Sequence, residues 1–301
     1  MTMSLQSRFR SWARRPSSDL LLTRALLGRG FVGILDLVPG AAFAVSRMVL
    51  SSAFLKVSIE RCRRSTDSDE VDVLPDLTAP WPQITLNSPI VGSGATYGDF
   101  LGSADGFAPL MTDQSGNGNH PVQATAGSQP RLAVAGALVG DANGRPNIWK
   151  PDGQARFLNL ASHVAAGPAA TVFGVYTAPI NNSWLIADQV TGNVSVYGRR
   201  SDGSYIIRGT STVLSAGVHP STVGVRTAIF AGASSSIRDN GAVVASGTTD
   251  AVLGFNQILN FAGGSAGDIR ASAIIVYASN QSTNAATLES SLAAMSGITL
   301  T

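Results

Sequence analysis

The sequence predicts an all-β protein, an antiparallel sandwich preceded by a helical N-terminal arm and closed by a short C-terminal helix. Three observations carry this reading. Only 13% of the 301 residues are charged while glycine numbers 32, and Ser, Thr, Ala and Val dominate the second half, as short strands joined by tight turns require. Beyond Pro130, short runs of alternating apolar and polar residues follow one another with Gly or Asn between them. The length suffices for one large sandwich with a solid core.

Residues 1–38 read as a basic, amphipathic arm. Arg8, Arg10, Arg14 and Arg15 surround Phe9 and Trp12, and Asp19 offers a helix N-cap before Leu20–Leu22 and Ala25–Leu27, with Leu21 and Leu26 on the apolar side. Arg24, Arg29 and Asp36 interrupt the apolar run, so it is expected to serve as an anchor rather than as a signal peptide or membrane span. Up to residue 64, ten Arg and Lys56 stand against Asp19, Asp36 and Glu60, a net +8. The total of +2 then leaves −6 for the remainder. A basic front end on a mildly acidic body suits docking on an acidic partner surface.

Residues 39–301 form the expected sandwich domain. Ala41–Phe54 reads as a helix, Lys56–Cys62 as a strand and Thr66–Asp72 as an acidic turn. Four prolines around Trp81 make 75–89 an irregular connector, and 92–106 is a Gly/Ser-rich loop. Thr112–His120 crowds an acid, amides, a hydroxyl and two glycines into nine residues without an apolar one, which predicts a double turn closed by side chain to backbone bonds through Asp113, Asn117, Asn119 and His120. Strands are expected at 131–138, 171–177, 184–188, 194–199, 205–209, 223–231, 259–264 and 268–277, and a last helix at 283–295. Asn240-Gly241 marks a type I′ hairpin between 234–239 and 242–245.

The segment Asp113 to His120, with Gln129-Pro130, Asn143-Gly144-Arg145-Pro146 and Asp152-Gly153, resembles an entry segment of concanavalin A-like (laminin G-like) jelly rolls. Leu50-Ser51-Ser52-Ala53-Phe54, Arg63-Arg64-Ser65, the acidic 67–72 and the Asp113 loop also occur in this order in α-L-arabinofuranosidase B catalytic domains and in many phage and prophage structural proteins. The resemblance covers residues 41–301. It implies a concanavalin A-like jelly roll and a virion component, such as a fibre, spike or tail protein, that binds host-surface polysaccharide. Other virion proteins would be its partners through the arm, in a homo-oligomer, with no nucleic acid. An arabinofuranosidase-type glycoside hydrolase and a non-binding structural decoration of the particle are the alternatives.

The hydrolase reading needs two carboxyl groups. Those enzymes carry a vicinal cysteine pair and a nearby catalytic glutamate after the Asp-Gln-Ser-Gly loop, whereas Cys62 is the single cysteine here and no glutamate lies between 71 and 288. The protein is therefore expected not to be an enzyme, and no residue is assigned a catalytic role. Asp188, at a strand end, would be the acid if there were one; turn formation also explains it. Trp184, Tyr197, Arg199 and Tyr205 form the densest aromatic and polar set, suited either to a sugar face or to the core; Trp149 has the same two readings. No metal or other cofactor is expected. His120, His163 and His219 are dispersed, and Ca²⁺ at Asp113, Asn117 and Asn119 competes with plain loop stabilisation.

Overall fold

The computed structural model describes residues 30–188, 196–259 and 267–301. Its compact body runs from Gly33 to Thr301, so the boundary expected after residue 38 falls earlier. The reason is α1 (Ile34–Leu37), whose Ile34 and Leu35 are buried with Val38 in the body's core. Asp36 fixes this turn by accepting from the Gly33 and Ser52 backbone N–H groups and the Ser51 hydroxyl. The expected arm residues Arg8, Arg10, Arg14, Arg15, Leu21 and Leu26 lie outside the described residues.

The body is a sandwich of two antiparallel sheets. In chain order its strands begin with β1 (Phe43–Ser46), β2 (Glu60–Arg64), β3 (Glu70–Val73), β4 (Gly106–Met111), β5 (Arg131–Val134), β6 (Ala137–Leu138) and β7 (Ile148–Lys150). They continue with β8 (Leu158–Val164), β9 (Ala170–Thr177), β10 (Ser183–Ala187), β11 (Val196–Arg199), β12 (Ser204–Arg208), β13 (Val213–Val218) and β14 (Gly224–Phe230). The last are β15 (Ser235–Asp239), β16 (Ala242–Gly247), β17 (Phe255–Ile258) and β18 (Ile269–Tyr277). Among the described residues the larger sheet runs β16-β15-β14-β9-β18-β7-β5-β4-β2-β3, with β1 added beside β18 and β6 beside β5, and the smaller runs β13-β12-β11-β10-β17-β8.

The central strands β9 and β18 are buried on both faces. Val172, Tyr176, Ile274 and Val276 point between the sheets towards Leu185, Ile186 and Ile207. The alternate residues Phe173, Val175, Ile275 and Tyr277 face outward, under α1 and α3 (Ala285–Ser296). Leu288, Leu292 and Met295 of α3 close that second core, each contributing roughly 1.5–3 kcal/mol relative to exposure. Gly174 sets the spacing between sheets, because a Cβ there would stand 2.4 Å from a Leu185 methyl.

Two local readings need correction. The stretch expected to be helical over 41–54 holds β1, all four residues of which are buried, followed by a single 3₁₀ turn at Ser52–Phe54. A short apolar run does not separate a doubly buried strand from a helix by periodicity, and here pairing with β18 decides. The loop expected over 92–106 contains α2 (Tyr97–Leu101), capped by reciprocal Thr96 and Asp99 bonds, and its Tyr97 and Leu101 enter the core. The hairpin at Asn240-Gly241 forms as expected, with φ of 47° and 91°. The strand expected at 259–264 lies outside the described residues except for Leu259.

The basic front end is also redistributed. Arg47 and Glu60 are fully buried as a two-pronged pair at 2.6 and 2.8 Å, and Arg47 further donates to the Leu132 and Asn147 carbonyls. Arg61 pairs with Asp72, and Arg64 with Asp67. These arginines hold β2 to its neighbours and to the turn that follows it.

Candidate functional site

The loop of residues 112–120 is a clasp on β1. The Asp113 carboxylate accepts from the N–H of Ala44, Ser115 and Asn119 and from the Ser115 hydroxyl, at 2.9–3.0 Å. The Gln114 amide donates to Ser46 and Met48 carbonyls and accepts from Leu50 N–H. Asn117 and Asn119 turn their NH₂ groups to the carbonyls of Ala41 and Ala42, and His120 accepts from the Asp113 N–H. Each Asp113 oxygen takes two donors from the chain and both asparagines donate to backbone carbonyls, so the side chains of the cluster bind the loop to itself and to the segment before β1. Among the described residues no three His, Cys, Asp or Glu side chains gather as metal ligands. Burial pushes the Cys62 thiol up to about 12, which removes its thiolate character.

The expected sugar set divides between two faces. Tyr197 and Tyr205 are buried between the sheets, edge to face on Tyr176 and against His219 respectively, so they offer solvent no ring face. Arg199 donates to the carbonyls of Ala178 and Pro179. Trp149 is a spacer between guanidinium groups, with Arg131 at 5.6 Å and Arg270 at 4.6 Å from its ring centre and its N–H bonded to Asp268. Trp184 alone of the four faces outward from the smaller sheet, where it packs on Ala187 and Ile206.

Side chains alternate along a strand and align across neighbours, so register identifies what shares that outer face. Gln257 on β17 lies opposite both Ala187 on β10 and Asn159 on β8, and Arg208 is two residues beyond Ile206 on β12. From Gln257 to Arg208 is three strand spacings, roughly 14 Å. The Gln257 amide donates to Asn159 Oδ1 at 2.7 Å. Its Oε1, Trp184 Nε1 and Arg208 Nε are buried atoms that find no hydrogen-bond partner among the described residues. Beside them His163 Nε2 lies 2.8 Å from Asp188 Oδ1, with Asp188 almost wholly buried and His163 partly exposed. Asn159, Arg208 and Gln257 were not legible as site residues in the sequence, because their common face depends on cross-strand register.

The other acids of the second half have local partners among the described residues. Asp250 is held by Thr210, Ser211 and Thr212, Asp202 by Ser204, and Asp268 by Trp149. Glu289 is held by Thr227 and Arg238, and Asp239 lies 3.1 Å from Arg226.

With this geometry in place, solved structures supply the comparison. A GH54 α-L-arabinofuranosidase soaked with a cyclic sulfate inhibitor superposes with a TM-score of 0.62 at 12% identity, covering 85% of this chain and 63% of that one. An arabinofuranosidase complexed with arabinofuranosyl-α-1,2-xylobiose gives 0.54 at 15% identity, covering 84% and 62%. The likeness is one of fold. The chain spans less than two thirds of the length of these enzymes. No family model matches the sequence, and no curated protein does. Among the described residues no helix is long and apolar enough to cross a membrane.

Proposed function

We propose that this protein is a non-hydrolytic, glycan-binding sandwich of a phage-type particle. In this reading the outer face of the smaller sheet receives host-surface polysaccharide, and the arginine-rich residues 1–29 anchor the chain to other virion proteins. The observation that carries the binding role is the set of unpartnered groups on one face: two donors, Trp184 Nε1–H and Arg208 Nε–H, and one acceptor, Gln257 Oε1. Leaving such groups dry and unpaired costs roughly 1–3 kcal/mol each. A polyhydroxylated ligand offsets that cost, since each sugar hydroxyl both donates and accepts, while Trp184 and Ile206 supply an apolar patch.

Arabinofuranosyl-α-1,2-xylobiose, the ligand of one enzyme of like fold, and extracted bacterial surface polysaccharides are the first probes. Titration of the full chain, followed by calorimetry, is expected to give saturable binding that the combined change Trp184→Phe, Gln257→Leu and Arg208→Met removes. Binding untouched by that variant would move the site elsewhere. Loss from particles on Leu21→Asp with Leu26→Asp, the body still folded, tests the anchor.

The hydrolase reading keeps one specific observation in its favour, the His163–Asp188 pair at 2.8 Å. Against it, glycoside hydrolysis calls for two cooperating carboxyl groups, and Asp202 and Asp250 each serve a local turn. No turnover of aryl arabinofuranosides is expected; sustained turnover lost on Asp188→Asn would reverse this conclusion.

A further inference from the structure

A second recess, sharing no residue with the outer face of the smaller sheet, lies between the 83–86 segment and the chain from β6 through the loop before β7. It is a cavity of about 520 Å³. Ile84, Leu86, Leu138, Val139 and Pro146 supply apolar side chains to its lining, and Gln83 and Asp141 are among the polar ones.

Both polar groups are acceptors with spare capacity. Gln83 is 8% exposed, and its Oε1 is buried without a hydrogen-bond partner among the described residues. Asp141 Oδ1 accepts the backbone N–H groups of Asn143 and Arg145 at 2.8 and 3.0 Å, which consumes that oxygen in a turn. Oδ2 is buried and unpartnered. The turn is fixed from both sides. Gly140 bridges to Pro146 at its base, and the Asn143 amide at its tip donates to the carbonyls of Ser296 and Gly297 that end α3. The turn is thus already ordered, which spares a ligand the ordering cost that weakens binding at loose loops.

A carboxylate oxygen and an amide oxygen ask for hydrogen-bond donors and, at the carboxylate, for positive charge. Burial has already pushed the Asp141 carboxyl above its ordinary value, a cost that a bound cation relieves. The apolar walls ask for an aliphatic stem behind the charged head, in the way a lysine side chain combines the two. We propose that this cavity is a binding site for a primary ammonium carried on an alkyl chain, a lysine-type side chain or a diamine, with its head held by Asp141 Oδ2 and Gln83 Oε1 and its methylenes along Leu86, Leu138 and Pro146.

The test uses the full-length protein and 1,5-diaminopentane as probe, with 1,5-pentanediol as an uncharged probe of the same length. Calorimetry or amide NMR shifts at moderate salt read the affinity. Asp141→Asn is the informative variant, because asparagine retains Oδ1 and with it the turn, while the charge is gone. The diamine is expected to bind, the diol to bind at least about tenfold more weakly, and Asp141→Asn and Gln83→Leu each to weaken the diamine by about tenfold, as charge-assisted hydrogen bonds predict. Amide shifts should cluster at 83–86 and 137–146. Equal affinity for diol and diamine, shifts elsewhere, or indifference to Asp141→Asn would each overturn the assignment. A normal melting transition for Asp141→Asn separates lost binding from lost fold.

Discussion

The loop of residues 112–120 and the outer face of the smaller sheet are both polar and both partly buried, yet they differ in what their hydrogen-bonding groups face. In the loop, Asp113 spends its oxygens on β1 and on the turn itself, Gln114 its oxygen on the Leu50 N–H, and Asn117 and Asn119 their NH₂ groups on the Ala41 and Ala42 carbonyls just before β1. On the sheet, Trp184, Arg208 and Gln257 each bury an atom that has no partner among the described residues. Groups satisfied from within hold a fold together; groups left over at an otherwise well-packed surface are available to something else. Motif density therefore points to the first region, and the proposed glycan site lies in the second.

The comparison breaks most visibly at the clasp. Asp113→Ala leaves the N–H groups of Ala44 and Asn119, the Ser115 N–H and its hydroxyl without their acceptor, and β1 keeps only the Gln114 bonds to the loop. A loss of about 3 kcal/mol or more is expected from stranded buried donors, read as a lowered urea midpoint. A near-neutral result would mean that pairing with β18 and the Gln114 bonds suffice to hold β1.

How far this division was legible follows from particular residues. Asp113 announced itself through neighbours in sequence, Ser115, Asn117 and Asn119, because a turn is local chemistry. The Asn240-Gly241 hairpin and α3 were legible for the same reason. β1 was not, since burial on both faces erases alternation, and the capped α2 hid within a Gly/Ser-rich stretch. At the site, Trp184, Tyr197 and Tyr205 looked alike in sequence. The register that turns Tyr197 towards Tyr176 and leaves Trp184 outside includes a bulge between Trp184 and Ile186, a one-residue irregularity that reverses a face.

Acid should act on the packed interior through His219. His219 lies against Tyr176 and Tyr205, with ring centres 5.4 and 4.6 Å apart, and Arg226 and Arg199 are its charged neighbours. Burial first, then Arg226, pulls its pKa from 6.5 down to about 3. The unfolded chain then binds more protons than the folded one between these values. The stability is fully present above pH 6.5 and is lost as pH falls towards 3, at about 1.4 kcal/mol per unit within the window. Between pH 6 and 4.5 the wild-type protein should lose stability more steeply than His219→Gln. Parallel slopes would show that His219 is protonated in the fold.

The smallest effect on stability, and the sharpest on function, is expected at the outer face. Arg208→Met keeps an unbranched stem along Ile206 and deletes a buried Nε that has no partner among the described residues. Trp184→Phe keeps a ring against Ala187 and Ile206 and deletes one unpaired N–H. Replacing an unsatisfied polar atom with an apolar one of similar shape is neutral or mildly stabilising, so each variant should unfold within about 0.5 kcal/mol of wild type. The same atoms are the ones a glycan would use, so each change should weaken glycan binding several-fold. The opposite signs separate the two regions: at the clasp an atom's removal costs the fold, and here it costs only the ligand. Arg208→Met or Trp184→Phe that destabilises by about 2 kcal/mol while glycan binding is retained would place these groups with Asp113, among those that hold the sandwich together.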